Sequence, residues 1–244
     1  MTEAEWLAAT DPGNMLSHLQ AHAEHRSKRG RRRLRLFGCG CARRVFRLMS
    51  DRGRRWVELG ELFADGLLTG TERRRIGSQE MGAVRGDRTD YHSDLSAWFT
   101  LQPNVMVAAQ WASYSAVAAV RLEERLERAE DLNSEFAEQK AQAGVLRDIY
   151  GNPFRPPAVD RTWLSWRDRT APQLGRATDE EWRPRATDEA WRPPDGTLDP
   201  ARLAMLADAL EDAGCTDPEL LGHLRSPGPH VRGCWAVDLV LGKS

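Results

Sequence analysis

The chain reads as an all-α protein: a helical bundle, a Pro/Trp-rich irregular segment and a small C-terminal helical unit. Three observations predict it. Helix start and stop signals recur along the sequence, alternating strand-like runs are nearly absent, and residues 104–150 are rich in Ala, Leu, Glu and Arg with no internal proline.

Taken in order, Thr2 and Glu5 form a capping-box pair ahead of Trp6, and Asp11-Pro12 supplies a cap and a first-turn proline for a second helix. In "RRRLRLFGCGCARRVFRLM", Leu34, Phe37, Cys41, Val45 and Leu48 recur at three- and four-residue steps, leaving Arg35, Arg43 and Arg47 off the apolar stripe of a third helix. Trp56, Leu59, Leu62 and Phe63 mark a fourth helix, and Thr71 is the expected cap of a polar fifth one reaching about residue 85, before "GDRTDYHSD" breaks the run. Residues 104–150 predict one long helix or a helical hairpin. Between 153 and 200 lie eight of the thirteen prolines and four tryptophans, which predicts irregular chain. Asp199-Pro200 then starts a helix that stops at Gly214, and Asp217-Pro218 starts a short one ending near Arg225. The last segment, "PHVRGCWAVDLVLGK", reads as helix, with a strand as the alternative over 230–241. Trp235 and Cys234 are expected in the core there, and Arg232 at the surface. The expected organisation is a bundle over 1–150, a connector over 151–199, and a C-terminal unit over 200–244 packed on the bundle.

At 244 residues and 41% hydrophobic, the chain can bury one sizeable core. Its net charge of −1 gives no whole-molecule reason to expect a polyanion partner. No apolar run is long enough to span a bilayer, and "MTEAEWLAATDPG" lacks the order of a signal peptide, so a soluble, cytoplasmic protein with no membrane partner is expected. Four cysteines, at 39, 41, 215 and 234, are too few and too scattered for a disulfide scaffold.

Residues 176–184 and 185–193 are near-identical nonapeptides, RATDEEWRP and RATDEAWRP. Two copies of nine residues cannot build a solenoid, and duplication inside a tolerant loop explains them. The functional alternative makes Trp182, Arg183, Trp191 and Arg192 exposed anchors for an unknown protein partner, being residue types enriched in binding hot spots.

Several blocks, "MTEAEWLAATDPGNML", "RLRLFGCGCARRVF", "LRDIYGNPFRPP" and "LADALEDAGCTDPELLGHLRSPGPHVRGCWAVDLVLGK", resemble a family of uncharacterised bacterial proteins sometimes loosely labelled SMI1/KNR4. The resemblance implies no activity and no catalytic residue. In similar proteins the "CGC" position often reads "CACC", and the stretch matching the nonapeptides is usually shorter, which favours a local insertion.

Four constellations bear on chemistry. Cys39, Cys41, His230 and Cys234 would make a Cys₃His zinc site if the two ends met, but Cys-x-Cys on a helix points its thiols about 200° apart, and packing of reduced thiols on apolar stripes is the favoured reading. His18, His22 and His25, with Glu24 nearby, have the spacing of a one-face imidazole row that could bind a transition metal, although a solvated helix face is the favoured reading. Residues 26–55 carry thirteen Lys or Arg against one acid, Asp51, so Arg35, Arg43, Arg47, Arg54 and Arg55 form the alternative nucleic-acid face; the acid-rich stretch 121–138 can instead neutralise them within the fold. Fourth, no phosphate loop, GxSxG elbow or HExxH occurs. The leading expectation is a non-catalytic protein-interaction module with no cofactor, nucleic-acid binding is the runner-up, and a metal-dependent enzyme or zinc-stabilised domain comes third.

Overall fold

The computed structural model describes residues 1–80, 90–127, 133–180 and 196–243. Among them the chain is all-α: thirteen α-helices, with a single antiparallel bridge between Thr197 and Val231 as the one β-type contact. No helix among them is long and apolar enough to cross a membrane. The chain divides into two units, Met1–Leu146 and Arg147–Ser244.

The first unit opens with α1 (Glu3–Ala8) and α2 (Pro12–Ala21), capped by Thr2 and Asp11 as their sequences require. Next come α3 (Lys28–Arg44), α4 (Asp51–Ala64), α5 (Gly70–Glu80), α6 (Tyr91–Phe99) and α7 (Val105–Glu127), then α8 (Ser134–Tyr150), whose last turn belongs to the second unit. The long helical tract is therefore two helices, α7 and α8. Thr69, not Thr71, caps α5: its hydroxyl accepts from the Glu72 amide at 3.2 Å while the Glu72 carboxylate accepts from the Thr69 amide at 2.8 Å.

Helix α3 is the axis of this unit, packed by α4, α6 and α7 together. It is consequently buried on every side from Arg33 to Arg43, and the expectation that Arg35 and Arg43 stand off an apolar stripe is corrected. Their burial is tolerable because each finds acceptors far along the chain. Arg35 donates to the carbonyl of Thr100, the C-cap of α6, and to that of Gln102 just beyond it, and stacks on Phe63 at 4.4 Å. Desolvation, aided by the neighbouring Arg73 charge and opposed by Cys39, lowers its pKa to about 10. Arg43 forms a bidentate pair with Glu61 at 3.0 and 2.8 Å. The α4–α6 approach needs glycine: a Cβ on Gly60 would stand 2.3 Å from Thr100 Oγ1.

Helix α6 has its first turn within "GDRTDYHSD", where a loop was expected. Its inner face is polar: Ser93 donates to the Leu48 carbonyl, Ser96 to that of Ala112, and Asp94 accepts from the Ser50 amide. Hydrophobic periodicity is blind to such a face.

The second unit holds α9 (Arg161–Ser165), α10 (Thr170–Glu180), α11 (Pro200–Asp212), α12 (Pro218–Leu224) and α13 (Trp235–Leu241). The expected irregular segment is thus helical over 161–165 and 170–180. Pro172 sits in the first turn of α10, where the missing N–H breaks no intrahelical bond. Leu203, Leu206, Leu210, Leu220, Leu224 and Trp235 form the core. Cys234 and Trp235 are buried as expected, whereas Arg232, expected at the surface, is buried too. The tail is helix from 235, so the strand alternative reduces to the one bridge at Val231.

Candidate metal centre

Asp148 lies in the last turn of α8, His223 in the last turn of α12, and His230 and Cys234 in the connection that leads into α13. Asp217 caps α12, and the helix ends at Leu224, so the chain can turn back through "RSPGPH" and return His230 and Cys234 to the end of α12. One ligand-type atom from each of the four residues lies within 4.8 Å of all the others.

The contacts are specific. His223 Nε2 is 3.1 Å from Asp148 Oδ1 and 3.2 Å from Cys234 Sγ, and His230 Nδ1 is 3.2 Å from Asp148 Oδ1. The second oxygen of Asp148 accepts the Val231 amide at 2.7 Å, and His230 Nε2 meets the Ser226 carbonyl at 3.0 Å. Because a carbonyl can only accept, Nε2 of His230 carries the proton, and in the neutral ring Nδ1 turns a lone pair toward the carboxylate. Two facing lone pairs need a cation between or on them: a proton, making imidazolium, or a metal ion.

Electrostatics show both sides of that choice. Burial opposes a charge on Asp148, but hydrogen bonds with His223, His230 and the Val231 amide outweigh it and hold the carboxyl below its usual range. Burial likewise opposes a charge on His230, yet the Asp148 carboxylate and the Ser226 carbonyl raise its pKa. The Cys234 thiol is pushed up, first by burial and then by the Asp148 charge, while the amides of Ala236 and Val237 at the start of α13 pull the other way. These directions favour a proton between His230 and Asp148 and a proton on the Cys234 sulfur, and a bound metal ion would take the place of both.

The residues singled out by sequence are distributed as follows. His230 and Cys234 belong to this group, and its other members are Asp148 and His223. Cys39 and Cys41 pack in the core of the first unit on α3, where burial raises the Cys41 thiol well above its ordinary value. His18 and His22 lie with their rings tilted, centroids 4.1 Å apart, but α2 ends at Ala21 and Ala23 turns left-handed before His25, so the row of three imidazoles does not form.

Of the proposed nucleic-acid face, Arg35 and Arg43 are buried and unable to touch phosphate, a correction that follows from α3 being central. Arg47 is paired with Glu123, and Arg44 beside it with Glu138 at 2.9 Å, so the acid-rich stretch does neutralise part of this surface. Arg54 donates to the Phe46 carbonyl and lies 3.7 Å from Asp51, while Arg55 is exposed. Trp182, Arg183, Trp191 and Arg192 lie outside the described residues.

Asp148 and His223 were missed. A signal for His223 exists, since His223, His230 and Cys234 fall within twelve residues. Asp148 is 75 positions upstream of the nearest of them, and only the fold joins it. Compared with protein-family models, curated proteins and solved structures, the chain finds no match.

Proposed function

We propose that the second unit binds one transition-metal ion through Asp148, His223, His230 and Cys234, and that the protein is a non-catalytic helical module with that ion as cofactor. The observation that carries this reading is the convergence of four ligand-type atoms, three of them on buried residues, within 4.8 Å. Mixed carboxylate, imidazole and thiolate donors suit a borderline-soft ion. Ligand orientation also supports it: a histidine whose second nitrogen is tied to a backbone carbonyl and a carboxylate whose second oxygen is tied to an amide are the outer contacts that metal ligands use. The test is elemental analysis of the purified full chain, before and after incubation with zinc or cobalt and removal of excess. About one ion per chain is expected, with loss in His230→Ala. A chain that takes up neither ion overturns the reading.

The interaction role is favoured by a separate observation in the first unit. Trp111 and Tyr114, one turn apart on α7, are 47% and 64% exposed, and Phe99 stacks on Trp111 at 5.6 Å. Exposed aromatics at this spacing suit an apolar segment of a protein partner. Serine at both positions is expected to abolish binding of any partner identified by cross-linking through this helix; undiminished binding removes the reading.

A further inference from the structure

Resting on the metal-binding reading, the geometry points to the ion's identity and role: we infer zinc(II) in a closed four-coordinate site, with Cys234 as thiolate and no position left for water or substrate.

Charge selects the oxidation state. Asp148 and Cys234 supply one negative charge each as ligands, and both side chains are buried. A divalent ion makes the centre neutral, which a low-dielectric interior strongly favours. A monovalent copper ion would leave a buried negative charge, and a trivalent iron a buried positive one. Magnesium and calcium are excluded by the donors, since they take oxygen ligands at higher coordination number. Zinc has no redox chemistry with a thiolate and accepts N, O and S donors in fours.

Size agrees with that number. Bonds of about 2.0–2.3 Å set tetrahedral ligand–ligand edges of roughly 3.3–3.6 Å. Three of the six edges, at 3.1, 3.2 and 3.2 Å, lie a few tenths of an ångström inside those lengths, and the other three are within 4.8 Å, so an ion would draw the wider pairs in by about an ångström at most.

Closure follows from what surrounds the ligands. Val231 holds Asp148 Oδ2, so the carboxylate offers one oxygen, and Ser226 fixes His230 with Nδ1 inward. The most accessible ligand, His223, is 20% exposed, and its ring lies 4.9 Å from His230 and 5.0 Å from Trp235. Trp235 is itself buried and seated on Gly151, which has φ +65; a Cβ there would come within 3.1 Å of the indole. Catalytic zinc sites keep three protein ligands and an open position, whereas here the fourth donor is protein.

The full chain with cobalt(II) in place of zinc tests this by absorption spectroscopy. The expected results are zinc in the protein as purified, intense tetrahedral d–d bands, a thiolate-to-cobalt charge-transfer band that Cys234→Ser removes, and no spectral change when azide is added. His223→Ala, which opens one position, is expected to respond to azide. An azide response in the wild type, a charge-transfer band surviving in Cys234→Ser, or copper or iron bound in preference to zinc overturns the closed zinc site while leaving metal binding intact. If Cys234→Ser does not fold, the azide titration of the wild type decides alone. Uptake of neither zinc nor cobalt overturns both.

Discussion

Arg43 and Glu61 carry opposite charges into a place where neither could stay alone: their side chains are 2% and 3% exposed. Removing one partner leaves a buried charge without its counterion, so Glu61→Ala is expected to cost about 3–5 kcal/mol in urea unfolding. Glu123→Ala removes a pair whose arginine side chain is 66% exposed, and should cost under about 1 kcal/mol because solvent already screens it. Equal losses in the two variants would refute this account of the arginines. Trp235 supplies the corresponding apolar case. Buried against Gly151 and His223, it should cost about 3–5 kcal/mol on truncation to Ala, and a thermal transition unchanged from wild type would place it outside the core.

At the scale of elements, α1 and α5 both start on a capping box, and each contains a titratable half. Glu5 is held below its ordinary pKa first by the Thr2 amide, and Glu72 first by the Thr69 hydroxyl and then by its amide. A depressed carboxyl pKa contributes stability that is complete above the unfolded value and lost as pH falls through the folded one. The first turns of α1 and α5 should therefore fray below the ordinary glutamate range. Amide exchange, corrected for its intrinsic pH dependence, should show this at both first turns. Protection that persists in acid would mean the boxes are not what holds those turns. Helix α7 offers the opposite kind of surface: Tyr114→Ser should leave stability within about 0.5 kcal/mol of wild type, since that side chain is 64% exposed, whereas Trp111→Ser, which also removes the stack on Phe99, should cost more.

For the whole molecule, an ion bound only by the native state adds stability by mass action, about 2.7 kcal/mol at a free concentration one hundred times its dissociation constant. Chelation should lower the unfolding midpoint of the second unit, and readdition of zinc should restore it. The Arg43–Glu61 pair, Phe46 and Trp56 belong to the first unit and the four proposed ligands to the second, so a spectroscopic probe at Phe46 or Trp56 serves as the comparison.

How much of this was legible depends on whether the cause is local. Caps, first-turn prolines and the Gly214 stop act over four or five residues, so α1, α2, α11 and α12 stand in the sequence nearly as they stand in the fold. The all-α class follows from the same signals. Helix α6 escaped because its buried face is serine and aspartate, whose partners are Leu48, Ser50 and Ala112. Arg35 and Arg43 were placed at the surface because their acceptors, 65 and 18 positions away, exist only once α4 and α6 close around α3. The site divides in the same way. His223, His230 and Cys234 are close in sequence, and ligand chemistry marks them. Asp148 joins the cluster only because the end of α8 lies beside the α12–α13 connection, a proximity that packing of apolar faces decides and that no local pattern encodes.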